Sequence, residues 1–293
     1  MQNQRFFDQT LDLINQGVFS VAVPLLIGKL CNAHADPVRW AETRASLHAH
    51  PLHQVLLQDP ISAHSTSRPR GYPGDAGLID LLYDRQPPAE ASALGRSLFE
   101  VTVQFQAPEA VRQRRNYAET MVTAAWQRGQ RILVLAGGHF REGDALIGSN
   151  LTNITLVDQD PLSLDQIRAK HGQAINLVEA NVFRYLREAA KAGETFDLIY
   201  TLGLTDYLDT RSMQLLHKFM KACLAPNGRL LLANFVPDHL STGWMDAVLD
   251  WHLIYRDERE LEQYAAEIGM VPKTWRDSTG SVAWCEMAAP SRL

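Results

Sequence analysis

Cysteine is scarce in this 293-residue chain: Cys31, Cys223 and Cys285 stand far apart. No two have the spacing of a zinc site or a disulfide framework. Few, scattered thiols suit a reducing compartment, so a cytoplasmic setting is expected. Long apolar runs are missing too. None approaches the roughly 18 residues that cross a bilayer, and Met1 to Thr10 lacks the basic start and apolar stretch of a secretory signal. A membrane partner is therefore not expected. Positive charge is not in excess. The 28 Lys and Arg face 33 Asp and Glu, for a net charge of −5. That balance argues against a nucleic-acid partner, which selects for a basic face. One basic stretch, with Arg112, Arg114, Arg115, Arg128 and Arg131, also carries Glu109 and Glu119 and reads as a solvated helix face. There is no Gly-x-Ser-x-Gly elbow and no phosphate loop. His48, His50 and His53 are close in sequence, but Pro51 interrupts regular helical spacing and a zinc site would also need a fourth ligand of suitable type, so no metal is expected.

What is present divides near residue 130. Before it, apolar positions recur at helical spacing: Phe7, Leu11, Ile14 and Val18 share one face, and Val21 to Leu30 continues apolar around Pro24. Further helices are expected over Pro37 to His48, Leu52 to Gln58, Ala76 to Tyr83, and Leu94 to Trp126 with a break at Pro108. Ser62 to Asp75, rich in Ser, Pro and Gly, reads as largely loop. After residue 130, short apolar runs (131–135, 154–158, 175–178, 196–201, 229–235) alternate with helical stretches. This is the pattern of a mostly parallel sheet covered on both faces. A helix over Thr242 to Tyr255, another over Glu258 to Ile268, and a terminal hairpin of Pro272 to Trp275 with Ser281 to Met287 complete the expectation. The fold class is thus α/β, a doubly wound sheet of Rossmann-like type over 130–293 with an N-terminal helical cap domain over 1–129.

The most informative stretch starts at the strand Ile132 to Leu135. A small-residue turn, Ala136-Gly137-Gly138, follows, and the next apolar run ends on Asp158. About 20 residues from glycine turn to acid is the spacing of a nucleoside site. Glycine admits close backbone approach, and a carboxylate ending the next strand can accept hydrogen bonds from both ribose hydroxyls. Asn181 ends the third run, placed to hold an adenine amino group while Val182 and Phe183 pack on the ring; the bland alternative is a helix cap. The fourth run, Phe196 to Tyr200, ends in Thr201-Leu202-Gly203.

This order of glycine turn, acid-ended strand, polar third-strand end and Phe-Asp-Leu-Ile-Tyr strand resembles the class I S-adenosylmethionine (SAM)-dependent methyltransferases over residues 130–289. A narrower likeness rests on Pro51-Leu52-His53, Asp59-Pro60, Arg68 to Asp75, Gly138 to Glu142, Asp158-Gln159-Asp160-Pro161, Gly203 to Leu208 and Asp250 to Arg256. Together these are similar to a bacterial subfamily described as resembling the 3-hydroxypalmitic acid methyl ester biosynthesis protein. The resemblance implies SAM as co-substrate and Gly137, Gly138, Asp158, Gln159, Asn181, Val182, Phe183, Thr201, Leu202 and Gly203 as its contacts.

Two positions depart from the general family. Val134 stands where the turn carries an acid, and Phe140 where it carries a glycine. His139 and Glu142 are therefore candidates for the methionine end of SAM, against a reading in which Arg141 and Glu142 form structural ion pairs. In the loop Arg70-Gly71-Tyr72-Pro73-Gly74-Asp75, two glycines and Pro73 suggest a stiff lid. Tyr72 would stack on the sulfonium and Asp75 would bind the amino group; the bland alternative is that Asp75 caps a helix. For chemistry on an amine or hydroxyl, Asp206, Tyr207, His139 and Tyr255 are the candidate bases by motif position. The expected activity is methyl transfer to a small molecule. The rivals are cyclisation of SAM itself to azetidine-2-carboxylate and methylthioadenosine, and SAM binding without catalysis. The partner is a small-molecule substrate or SAM alone, and the oligomeric state is not legible.

Overall fold

The computed structural model describes residues 2–288. Eight helices come first: α1 Gln2–Asn15, α2 Phe19–His34, α3 Pro37–His48, α4 Pro51–Leu56, α5 Pro60–Ser67, α6 Ala76–Asp84, α7 Ala93–Thr102 and α8 Gln106–Gln127. Local chemistry explains their starts. Asp36 and Asp59 each precede a proline at the first helical turn and accept backbone N–H groups with their side chains, capping α3 and α5. His50 caps α4 in the same way through Nδ1.

Three expectations for these N-terminal helices need correction. Ser62 to Ser67 is helical, not loop, because the Asp59-Pro60 cap starts α5. Val18 lies beyond α1, which ends before the positive-φ Gly17. The break between α7 and α8 falls at 103–105. Pro108 sits in the first turn of α8, where its missing N–H costs nothing.

The sheet follows: β1 Ile132–Leu135, β2 Leu151–Asp158, β3 Ile175–Glu179, β4 Phe196–Thr201, β5 Leu224–Phe235, β6 Val271–Arg276 and β7 Val282–Ala288. Between strands lie a 3-10 helix Arg141–Leu146, then α9 Pro161–His171, α10 Val182–Ala192, α11 Thr210–Ala222, α12 Thr242–Ala247 and α13 Glu258–Glu267. The strand order is β3-β2-β1-β4-β5-β7-β6. All pairs are parallel except those of β7, which runs antiparallel to both β5 and β6. The doubly wound expectation and its terminal antiparallel hairpin are therefore observed. Both faces are buried: Leu133, Leu135, Ile199, Leu230 and Leu232 pack with Leu186, Met213 and Leu216, while Ile132, Val134, Leu198 and Leu231, on alternate positions, are buried as well. The helix expected over 242–255 stops at Ala247; Asp250 takes a positive φ of 46°, which no helix continues through.

The chain forms two compact units, Met1–Arg112 with Asp238–His252, and Gln113–Pro237 with Leu253–Leu293. This differs from the division at 129/130. A helix end is visible in sequence at Gly129, but the change of packing partners falls inside α8. The segment 238–252 joins the first unit through contacts far apart in the chain. Arg44 Nε meets Asp246 at 2.9 Å, and Ser65 donates to the Leu249 carbonyl at 2.7 Å. Helix α12 also packs backbone to backbone on α2: a Cβ on Gly243 would lie 2.4 Å from the Leu30 carbonyl oxygen. Gly243→Ala is expected to destabilise the protein by about 1–3 kcal/mol or more, because backbone atoms cannot swing aside. Denaturant midpoints measure it; an unchanged midpoint means the helices part at no cost.

Candidate functional site

In the second unit the chain leaves β1 through a turn in which Ala136, Gly138 and Phe140 have φ of 53°, 53° and 49°. For alanine and phenylalanine this left-handed backbone costs about 1–3 kcal/mol each, strain that gathers at functional sites. Gly137 is closely packed. A Cβ there would lie 2.5 Å from Leu156 Cδ1, so the turn hugs β2. Phe140 buries its ring beside His171 at a centroid distance of 5.8 Å.

The turn and the acid meet. The Gly138 N–H donates to Asp158 Oδ2 at 2.9 Å, and the Asp160 N–H donates to Oδ1 at 2.9 Å. Asp158 is buried, and burial pushes its pKa up, against the pull of the Asp160 and Gly138 N–H groups. A carboxylate offers about four lone-pair sites. The Asp160, Gly138 and Gln159 N–H groups bear on three of them, which leaves about one for a further donor.

Other site expectations fall around this centre with different fates. Asn181 caps α10, its Oδ1 accepting from Phe183 N at 3.0 Å and Arg184 N at 3.3 Å. Its acceptor oxygen is thus engaged, and the side chain offers a base an N–H donor rather than an acceptor for an amino group. Val182 is buried and Phe183 half-buried against the core, while Gln159 is exposed. Past β4, Thr201 is fully buried with no hydrogen-bond partner for Oγ1, and Leu202 and Gly203 are half-buried. Tyr255 is half-buried and Tyr207 is 39% exposed.

His139 is buried in the first turn after β1. Glu142, also buried, accepts from the Tyr200 hydroxyl at 2.8 Å, and burial pushes its pKa up. The ion pairs of this turn belong to its neighbours: Arg141 and Lys170 meet Asp144 at 2.8 and 3.0 Å. Structural pairing therefore accounts for Arg141 but leaves Glu142 to Tyr200.

Asp206 is held on several sides. Its Oδ1 accepts from Phe235 N at 2.7 Å, its carbonyl accepts from Ile254 N at 2.7 Å, and its Oδ2 lies 3.6 Å from Arg114 Nη1. Arg256 adds a bond from Nη1 to the preceding Thr205 carbonyl at 2.9 Å. Burial drives the Asp206 pKa up to about 6, with Arg114 and the Phe235 N–H opposing.

Arg114 corrects the sequence reading. The basic stretch is not uniformly solvated: Arg128 and Arg131 are exposed, but Arg112 and Arg114 are buried. A signal was present, because Arg114 lies on the stripe Ala110, Arg114, Ala118, Val122, which repeats every four residues and is buried throughout.

In the first unit, Asp75 caps α6 by accepting from Leu78 N at 2.9 Å, and its Oδ1 lies 2.7 Å from His64 Nε2. Burial alone would raise its pKa, yet His64, the Leu78 N–H and the charge of Arg70 together hold it below the ordinary value. Its Oδ2 is buried without a hydrogen-bond partner. Tyr72 is half-buried. Among the described residues no group of three or more His, Cys, Asp or Glu is placed to hold a metal ion, and no helix is long and apolar enough to cross a membrane.

No protein-family model and no curated protein matches the chain. Among solved structures, a possible exported protein from Bordetella parapertussis is similar at 20% identity and a TM-score of 0.60, covering 89% of this chain and 97% of its own. This likeness shows the fold. The 1,6-didemethyltoxoflavin-N1-methyltransferase of Burkholderia thailandensis, with S-adenosylhomocysteine bound, aligns at 15% identity and a TM-score of 0.46, covering 61% of this chain and 79% of its own. The magnesium protoporphyrin IX methyltransferase of Synechocystis PCC 6803 aligns at 13% identity and 0.48, covering 63% and 87%. These two likenesses are too weak to carry a functional conclusion.

Proposed function

We propose that the second unit binds SAM and that the protein transfers its methyl group to a small molecule, a carboxylate, amine or hydroxyl of bacterial secondary or signalling metabolism. The observation that carries this reading is the bond from Gly138 N–H to Asp158 at the carboxyl ends of adjacent parallel strands, with spare acceptor capacity on a buried acid. Ligands of open α/β sheets bind at that end, beside the point where strand order reverses. Here the order reverses between β1 and β4.

SAM supplies an electrophilic methyl on a sulfonium. The chain's residues supply alignment and exclusion of water. Asp158 anchors the ribose, Asn181 and Val182 border the base, and the strained turn at Ala136 to Phe140 presents backbone to the ligand. A carboxylate acceptor needs no base. An amine or hydroxyl does, and His139, Tyr207 and Tyr255 remain the candidates. Asp206 fits that role less well, since its carboxylate is already occupied by Phe235 N–H and faces Arg114.

Tyr72 and Asp75 keep their proposed roles toward the sulfonium and the ammonium on chemical grounds, supported for Asp75 by a low pKa and a buried oxygen still lacking a donor. If Tyr72 faces the cation, Tyr72→Ala is expected to lose about 0.5–2 kcal/mol more affinity for SAM than for neutral S-adenosylhomocysteine. Equal losses in calorimetry mean ordinary packing.

The deciding experiment is mass spectrometry of SAM-derived products, with protein alone and then with a bacterial metabolite extract. S-adenosylhomocysteine formed only with extract supports methyl transfer. Methylthioadenosine with protein alone means cyclisation, and binding with no product means a non-catalytic SAM protein.

A further inference from the structure

Arg114 is a buried cation with an acidic neighbour but incompletely met donors. Its side chain is 7% exposed, and Nε and Nη1 are buried with no hydrogen-bond partner. The nearest acid, Asp206, stands 3.6 Å from Nη1, beyond hydrogen-bond range, and the carboxylate's other oxygen is committed to Phe235 N–H. The guanidinium carbon lies 5.7 Å from the Phe235 ring centroid, which favours a cation but accepts no N–H bond in its plane. Buried donors left unmet are costly, and an arginine fork matches the two oxygens of a carboxylate.

Its position narrows the ligand. Nη2 lies 3.7 Å from where a Cβ on Gly203 would stand, so the fork is at the loop after β4. Its charge also reaches Glu142, in the 3-10 helix after β1. Arg114 therefore stands among the loops following β1 and β4, the two strands that flank the reversal of strand order. The nucleoside assignment runs the other way along the same edge: base at the end of β3, ribose at the end of β2. A tail leaving the ribose away from the base must cross β1 toward β4, two strand spacings or about 10 Å. Ribose and the five-bond chain from C5′ to the carboxylate of SAM cover that reach.

We propose that Arg114 is the receptor for the carboxylate of the amino-acid end of SAM. The inference rests on the SAM-binding reading above. With the carboxylate held there, the sulfonium is drawn over the β1 turn and its methyl faces the loop of Gly203 to Tyr207.

Decarboxylated SAM, which keeps the sulfonium and the amine but lacks the carboxylate, is the probe. Calorimetry with the full chain is expected to show SAM binding at least about tenfold tighter than decarboxylated SAM, the scale of a hydrogen-bonded charge pair. Arg114→Gln is expected to erase that preference by weakening SAM while leaving decarboxylated SAM within about threefold of the wild type. Arg114→Lys, which keeps the charge and loses the fork, should show an intermediate preference, and it serves if the glutamine variant does not fold. Equal binding of both compounds by the wild type overturns the carboxylate assignment while leaving the SAM reading intact. So does an equal loss for both compounds in the variants, or no loss for either. Failure of the wild type to bind either compound removes the SAM reading, and this inference with it.

Discussion

Replacing Asp158 by alanine is expected to weaken SAM binding by about 1.5–3 kcal/mol, the range of hydrogen bonds to a charged group. The structure adds a second effect. Asp158 also accepts the N–H groups of Gly138 and Asp160, so the alanine variant loses the bonds that hold the glycine turn against β2. The turn already carries strained residues at Ala136 and Phe140, and loosening it should lower thermal stability alongside affinity. Asp158→Asn separates the two roles. It retains one acceptor oxygen for the turn and gives up part of what a ribose needs, so it should melt closer to the wild type while still binding SAM weakly. Calorimetry and thermal melts on both variants provide the check. Unchanged SAM affinity in a folded alanine variant removes Asp158 from the site.

Asp206→Ala carries the largest expected loss of stability in the second unit. The buried Phe235 N–H loses its acceptor, which by itself costs about 1–3 kcal/mol, and Arg114 loses its acidic neighbour. Turnover per folded molecule should fall much more than SAM affinity, because the loop from Gly203 to Tyr207 follows β4 and faces the reacting end of the proposed ligand. A variant that melts early yet turns over normally leaves Asp206 a purely structural role.

The pH dependence gives an independent reading. The folded pKa of about 6 lies above the ordinary 3.8, so the folded state binds this proton more tightly than the unfolded chain does. The contribution of Asp206 to stability therefore falls as pH rises from about 4 to about 6 and is level above that. Asp206→Asn keeps an acceptor for Phe235 and has no such proton. It should gain on the wild type across that window in denaturant titrations. A constant difference between pH 4 and pH 7 contradicts the raised pKa.

Much of this protein was decided locally. Alternation of apolar and polar residues placed the strands and most helices within a few residues, because burying one face against neighbours is a property of periodicity. Asp-Pro pairs started α3 and α5 by capping chemistry that spans only three or four residues, although in the second case the Ser- and Pro-rich composition downstream concealed it. The glycine turn and Asp158 were legible as a pair because a parallel β1–β2 crossover leaves their chain separation nearly constant. What the tertiary structure alone decided were the partners of buried polar groups. Arg114 belongs to a helix whose charges looked solvated, and only the return of the chain after β4 and β5 sets Asp206 and Phe235 beside it. Glu142 is claimed by Tyr200 on a strand far along the chain. Segment 238–252 joins helices from the start of the sequence. The physical reason is common to all three. Periodicity reports which side chains leave water, whereas a polar group taken out of water depends on whichever donors and acceptors folding brings within about 3 Å.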